Sequence, residues 1–281
     1  MDKTESLQIG HSSDKGNDFK IEQEVTNDRN VEVPFSHRHF FYAVYWIQEG
    51  NGIHTIDFEE YEIKPGRIFF IRPEQVHFLH TYTPIKYSAL QFTEDFMLCP
   101  QATYKVSEKE ISVCKDLSET EKERFSVLFR QIYTESVSGL NNATALIRSE
   151  INTLLLELER ISLNDKGHPN IPDLIIRYKN LIDKQFIYMR QVRDYAMKLG
   201  VSPNYLNVMT QKHLGKSALE LINERVILEA KRLLLRTDHD ISEIAYRLGF
   251  NELSYFSRFC RHQMGMSPLR FREKMNEIYQ K

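Results

Sequence analysis

Residues 241–272 read ISEIAYRLGFNELSYFSRFCRHQMGMSPLRFR, and this stretch decides the fold of the C-terminal third. Ile241, Ile244, Ala245 and Leu248 recur at helical spacing. Gly249 stands where a left-handed residue ends a helix, and Phe250 can plug the gap behind that turn. Asn251 is a cap candidate for a second helix. The buried stripe of that helix is Tyr255, Phe256 and Phe259, with Cys260 a further candidate. Leu253, Ser254, Ser257, Arg258 and Arg261 are left facing outward. Asp240 and Glu243 have the spacing of a capping box for the first helix. A short helix, a glycine turn and a second capped helix are the parts of a helix-turn-helix.

The same parts occur once before, in VRDYAMKLGVSPNYLNVMTQKHLGKS at 192–217. Ala196, Leu199 and Gly200 match Ala245, Leu248 and Gly249 at a separation of 49. Gly215 and Ser217 match Gly265 and Ser267 at 50, so the second copy carries one extra residue in its turn or its helix. Val192, Tyr195, Ala196 and Leu199 form the first helix's stripe, with Val201 as the plug. Ser202-Pro203 supplies an N-cap and a first-turn proline. Leu206, Met209 and Thr210 face inward, leaving Asn204, Tyr205, Asn207, Val208 and Gln211 outward. Between the copies, SALELINERVILEAKRLLL (217–235) reads as one helix of roughly 28 Å. That length suits two recognition helices set about one turn of DNA apart. Amides can read adenine edges, Arg can read guanine, and apolar groups can meet thymine methyls. Arg261, Arg270, Arg272 and Lys274 are candidates for phosphate contact.

Charge agrees with this division. Residues 173–281 hold 19 Lys and Arg against 12 Asp and Glu, a net +7, whereas 1–172 hold 18 against 27, a net −9. A basic third on an acidic body fits a polyanion-binding domain joined to one of another kind. The 281 residues suffice for about two domains. A hydrophobic share of 41% excludes disorder over the whole length. No apolar run reaches the roughly 18 residues of a membrane span. The polar start lacks a signal-peptide stretch, and Cys99, Cys114 and Cys260 show no metal-ligand spacing or disulfide framework. A cytoplasmic protein with no membrane partner is the expectation.

The N-terminal part reads differently. Residues 1–20 read as a mobile tail and 21–162 as a sensor or dimerisation domain. Within it, residues 31–93 are aromatic and β-branched runs cut by turn residues, the pattern of a small β-barrel or sandwich. Glu49-Gly50-Asn51-Gly52 is a tight-hairpin signal and Lys64-Pro65-Gly66 a second turn. Residues 119–137 carry a helical stripe of Phe125, Leu128, Phe129 and Ile132. Residues 143–162 carry another of Leu146, Ile147, Ile151, Leu154, Leu155 and Leu158. These helices pack on the barrel or on a second copy. Residues 163–172 read as a polar linker, and 173–281 as the DNA-binding domain.

The C-terminal 100 residues resemble the AraC/XylS family of transcription regulators. Ile241, Ala245, Gly249, Phe250, Phe256, Phe259, Gly265, Pro268 and Arg272 fall in that family's order. The resemblance implies an α+β chain, with an N-terminal cupin-like β-barrel with helices ahead of an all-α domain of two helix-turn-helix units. It implies base reading from Asn204, Asn207 and Val208 and from Leu253, Ser254 and Arg258; Val208 departs from the polar residue often found there. It implies a dimeric activator that binds double-stranded promoter DNA and recruits RNA polymerase, with a small-molecule effector.

Residues 34–80 resemble that family's sensing barrel, less specifically. His37, His39 and His77 could supply the three imidazoles of a metal-dependent cupin enzyme. The Glu expected shortly after His39 is missing, with Ala43 and Val44 in its place. The three histidines therefore read as polar groups at a barrel mouth, as effector contacts, or as ligands of a metal. Tyr45 joins them as an effector-pocket candidate. Strand alternation sends Tyr45 and Trp46 to opposite faces, and Tyr42, Trp46, Phe69 and Phe70 read as core. No nucleophile–base pair, phosphate loop or paired carboxylates support catalysis, so neither enzyme activity nor a cofactor is expected.

Overall fold

The computed structural model describes residues 18–27, 39–97, 106, 110–163, 172–236 and 239–279. His37, Cys99 and residues 1–17 of the expected tail lie outside them. The chain opens with β1 (Phe19–Asn27), β2 (Tyr42–Glu49), β3 (Gly52–Ile56), β4 (Glu59–Ile63), β5 (Arg67–Ile71), β6 (His77–Thr81) and β7 (Ile85–Phe92). A short α1 (Glu94–Met97) and β8 (Cys114–Asp116) follow. The strands form two antiparallel sheets, ordered β1-β7-β2-β5-β8 and β4-β3-β6.

The larger sheet is covered on both faces, which is why β2, β5 and β7 read as nearly continuous apolar runs. Ala43, Ile47, Phe69, Ile71, Tyr87 and Ala89 pack against Ile56 and Ile63 of the smaller sheet. The alternate residues Tyr42, Val44, Trp46, Ile68, Phe70, Leu90 and Phe92 lie beneath α2 (Glu119–Ser138) and α3 (Ala143–Leu163). Ser118 and Glu121 form a capping box at the start of α2, and Gly139 ends it at φ +62°. Phe125, Leu128, Phe129 and Ile132 meet Ile147, Ile151, Leu154, Leu155 and Leu158 in this core. Leu146, expected in that stripe, sits one position off it and is exposed.

The turn at 64–66 joins β4 to β5 as expected, but the one at 49–52 differs from expectation. Residues 49–52 do not close a hairpin, because β2 and β3 belong to different sheets. The glycines are needed for another reason: a Cβ on Gly52 would lie 2.3 Å from the His80 carbonyl oxygen. The tight hairpin is β3–β4, turned by Asp57 (φ +49°) and Phe58 (φ +72°). Such turns normally take Asn-Gly, and a bulky residue there is strained by about 1–2 kcal/mol. The strain is held by tertiary contacts. Asp57 Oδ2 accepts from Gln75 Nε2 at 2.7 Å, and the Asp57 amide donates to the Val76 carbonyl at 2.7 Å.

The remaining helices are α4 (Asp173–Gln185), α5 (Val192–Leu199), α6 (Pro203–Leu214), α7 (Ala218–Arg236), α8 (Ile241–Arg247), α9 (Leu253–Met264) and α10 (Pro268–Tyr279). They share one core. Ala218, Ile222, Val226, Ala230 and Leu234 of α7 contribute to it, with Tyr178, Tyr195 and Leu206 before them and Ile244, Phe256 and Phe271 after.

The β3–β4 turn also joins the two halves. Arg232 of α7 donates to both Asp57 carboxylate oxygens, at 2.8 and 2.6 Å, with side chains only 8% and 13% exposed. Burial favours neutral Arg232, but Asp57 and Glu229 more than offset this and raise its pKa. Phe58 packs edge-on against Phe271 of α10, and Lys231 Nζ lies over the Phe58 ring, 5.5 Å from its centroid.

Trp46 is the chain's only tryptophan, and its ring lies 5.9 Å from that of Phe129. Phe129→Ala is expected to cost about 3–5 kcal/mol. Urea unfolding followed by Trp46 fluorescence would show this as a lower midpoint; an unchanged midpoint would contradict the packing described.

Candidate nucleic-acid interface

The two helix-turn-helix units have the same construction with one difference. α6 and α9 each have 12 residues and end at glycines with φ +68° and +74°. α5 ends at Gly200 and α8 at Leu248-Gly249, with φ +71° and +78° at the glycines. The extra residue of the second unit therefore lies in its turn: three residues link α5 to α6, and five link α8 to α9 when Leu248 is counted outside the helix. Ser202 caps α6 by accepting from the Tyr205 amide at 3.1 Å. Asn251 does not cap α9, because the longer turn places Glu252 at the N-cap, with no side-chain cap bond. The expected box at Asp240 and Glu243 is also unformed. Glu243 is drawn instead to Arg247 at 3.0 Å and His239 at 2.9 Å.

On α6, Leu206 and Thr210 are buried and Met209 is half-buried. Asn204, Tyr205, Asn207, Val208 and Gln211 are exposed. Two of these five have internal duties. Asn207 Oδ1 accepts from the Ala218 amide at 3.0 Å, tying α6 to the start of α7, and Gln211 Nε2 donates to the Gly215 carbonyl at 3.2 Å.

On α9, Phe256 and Cys260 are buried and Phe259 is half-buried. Burial pushes the Cys260 thiol up to about 12, so it is an inert packing group. Tyr255, expected inside, is 58% exposed; it sits on the shoulder of the stripe, 5.7 Å from the Phe250 ring. Leu253, Ser254, Arg258 and Arg261 are exposed, and Ser257 is half-buried. Neither Arg258 nor Arg261 is paired with an acidic side chain among the described residues. Arg270 and Lys274 are exposed, but Arg272 is committed internally. Its guanidinium donates to the Leu234 carbonyl at 3.0 Å and the His239 carbonyl at 2.8 Å, fastening α10 to the end of α7. With Nε and Nη2 spent on two carbonyls, Arg272 has a structural duty that Arg270 and Lys274 lack.

In the N-terminal part, three candidate side chains lie near one another. His39 is buried, stacks on Phe41 and lies 5.1 Å edge-on from His77. His77 Nδ1 is 3.1 Å from His54 Nε2, a partner that sequence reading missed. Strand register carries the signal that could have found it, since His54 of β3 lies diagonally across from β6 in the inward row. Tyr45 faces this interior, 6.3 Å from the His54 ring, and burial pushes its hydroxyl up to about 12. Among the described residues, no group of three or more His, Cys, Asp or Glu is arranged to hold a metal. Among the same residues, no helix is long and apolar enough to cross a membrane.

Two family models match the chain. Residues 26–158 match an AraC-like ligand binding domain and residues 195–274 a helix-turn-helix domain. The chain is 24% identical over 253 residues to the HTH-type transcriptional activator RhaS of Salmonella schwarzengrund, covering 87% of this chain and 89% of that one. The same values hold for RhaS of Salmonella typhimurium. Among solved structures, ToxT from Vibrio cholerae is 16% identical over 92% of this chain and 98% of its own, with a TM-score of 0.45. The C-terminal domain of AraT from Geobacillus stearothermophilus is 32% identical over 38% of this chain and 88% of its own, with a TM-score of 0.36. With an AraC-like ligand-binding domain ahead of a double helix-turn-helix, the chain belongs to the AraC/XylS family of DNA-binding transcription regulators.

Proposed function

We propose that this regulator is an activator that binds two adjacent major-groove sub-sites of a promoter as a dimer and answers to a small molecule held in its N-terminal domain. The observation that carries the reading is the pair of 12-residue helices, α6 and α9, built against α7. Asn204, Asn207 and Val208 on one, and Leu253, Ser254 and Arg258 on the other, are the proposed base readers. Tyr205, Gln211, Ser257 and Arg261 flank them, with Arg270 and Lys274 on phosphates. Activation rests on the similarity to RhaS, and RNA polymerase is the partner that activation requires. His39, Tyr45 and His77 are the proposed effector contacts, now joined by His54.

The dimer is placed on the outer face of α3. Leu146, Leu156 and Leu163 are all exposed there, with Thr153 between them. Three exposed leucines share this face with Ser149, Thr153 and Arg160, a mixed surface of the kind that interfaces use. Coupling between the halves is placed at Asp57 and Arg232. Gln75 and Val76, which hold Asp57, directly precede His77, so a shift of the histidine cluster reaches α7 within two residues.

Selection of DNA by the purified full-length protein should yield a motif of two sub-sites about 10–10.5 base pairs apart. Arg258→Ala should cost about 1–3 kcal/mol and relax one position of that motif. Failure to enrich any motif, with or without cell-extract small molecules, would count against the reading.

Leu156→Glu with Leu163→Glu should halve the mass seen in sedimentation, with the far-ultraviolet spectrum unchanged. Asp57→Arg should shift DNA affinity by roughly tenfold, and adding Arg232→Asp should restore it. A double variant no closer to wild type than the single would place the coupling elsewhere.

A further inference from the structure

The segment leading into the first helix-turn-helix unit touches the second unit directly, away from α7. The contact joins the segment between α4 and α5 to the turn of the second unit. Arg190 Nη2 donates to the Leu248 carbonyl, and the Arg190 guanidinium carbon lies 4.5 Å over the Phe250 ring. Phe250 is buried, with its ring 5.0 Å from Phe256 and 5.3 Å from Phe259 of α9. Beside them the two backbones meet without room for a side chain: a Cβ on Gly249 would lie 2.4 Å from the Ile187 carbonyl oxygen. Glycine is thus required here twice over, for its φ of +78° and for the close approach.

The chemistry of the contact is unusual for a guanidinium. Arg190 has no carboxylate partner among the described residues; a carbonyl dipole and a ring face hold it instead. Burial lowers its pKa. Both interactions are directional, since the donor must aim at the carbonyl and the cation must sit over the ring. A charge removed from water in this way tolerates little displacement. Its place in the chain matters equally. Arg190 lies two residues before α5, and Phe250 lies three residues before α9. The contact therefore ties the entry of the first unit to the turn that launches the second unit's recognition helix.

We infer that Arg190 is a positioning residue: it fixes the separation and rotation of α6 relative to α9, and so sets the sub-site spacing that the protein accepts. This rests on the two-sub-site reading above. One inserted base pair moves a sub-site by roughly 3.4 Å and turns it by about a tenth of a revolution. A clamped pair of helices cannot follow that change, whereas a pair joined by α7 alone can bend toward it.

The test measures full-length wild type and Arg190→Ala on duplexes carrying the selected motif, the motif with one or two base pairs inserted between sub-sites, and one sub-site alone. Wild type is expected to lose about tenfold in affinity per inserted base pair. Arg190→Ala should lose less than about threefold, with single-sub-site affinity within about twofold of wild type. Phe250→Leu keeps an apolar plug but removes the ring, and it should show the same relaxation; it replaces Arg190→Ala if that variant loses helicity by circular dichroism. A folded variant that keeps the wild-type spacing preference overturns the inference, including one that binds every duplex more weakly by the same factor. A wild type that prefers no spacing overturns the two-sub-site reading and the inference with it.

Discussion

The C-terminal half is organised by a single requirement: α7 must bury apolar surface toward both helix-turn-helix units. A unit of a short helix and a 12-residue helix has too little apolar surface to close a core alone. Ala218, Ile222, Val226, Ala230 and Leu234 supply the missing surface. Ala196 and Ala245, small and buried in the same core, let the two helices of each unit pack closely. Tyr178 completes the arrangement by donating to the Ala218 carbonyl at 2.7 Å, which anchors α4 to the first turn of α7. Displacing α7 would thus disturb both units at once, and the outward faces of α6 and α9 depend on where it lies.

The same helix carries the link to the N-terminal half on a different side. Arg232 is the buried end of that link, and a bidentate pair with Asp57 is costly to break because it would strand a desolvated charge. The turn that presents Asp57 is itself strained, with two non-glycine residues at positive φ. Strain of this sort persists where surrounding contacts over-determine it, and here those contacts come from both halves. The ligand-binding half and the DNA-binding half of this family member therefore meet through a strained turn that contacts from both halves hold in place.

Much of this architecture was legible in the sequence, and the elements that were legible share a cause. Periodicity reports burial, so the stripes of α2, α3, α6 and α9 could be read with errors only at shoulder positions such as Leu146 and Tyr255. A shoulder residue is decided by a few degrees of helix rotation against its neighbour. Cap signals were less dependable. Ser202-Pro203 acts as its sequence suggests, whereas Asn251 lost the cap to a turn one residue longer, and Glu243 was diverted to His239 and Arg247. Local motifs specify what a side chain can do, and competing partners determine what it does. Arg272 shows the same rule: a basic residue in a basic helix reads as a phosphate contact, and the fold gives it two carbonyls to hold.

By itself, the sequence determined the doubled unit near the C-terminus, the split between a strand-rich and an all-helical part, and the division of Tyr45 and Trp46 between two faces, though β1 and β8 lie outside the stretch it read as strands and β1 begins inside the expected tail. These follow from periods of 2 and 3.6 residues, from glycines at helix ends and from the composition of turns, all of which act over a few residues. Only the tertiary structure decided the pairing of His54 with His77, the seat of Phe58 against Phe271, the Asp57–Arg232 pair and the Arg190 contact with the second turn. Each joins residues 23 to 213 positions apart, as sequence numbers and contacts show. Their side chains have no local pattern to announce them, because they meet through the approach of surfaces that the chain brings together only when both cores have formed.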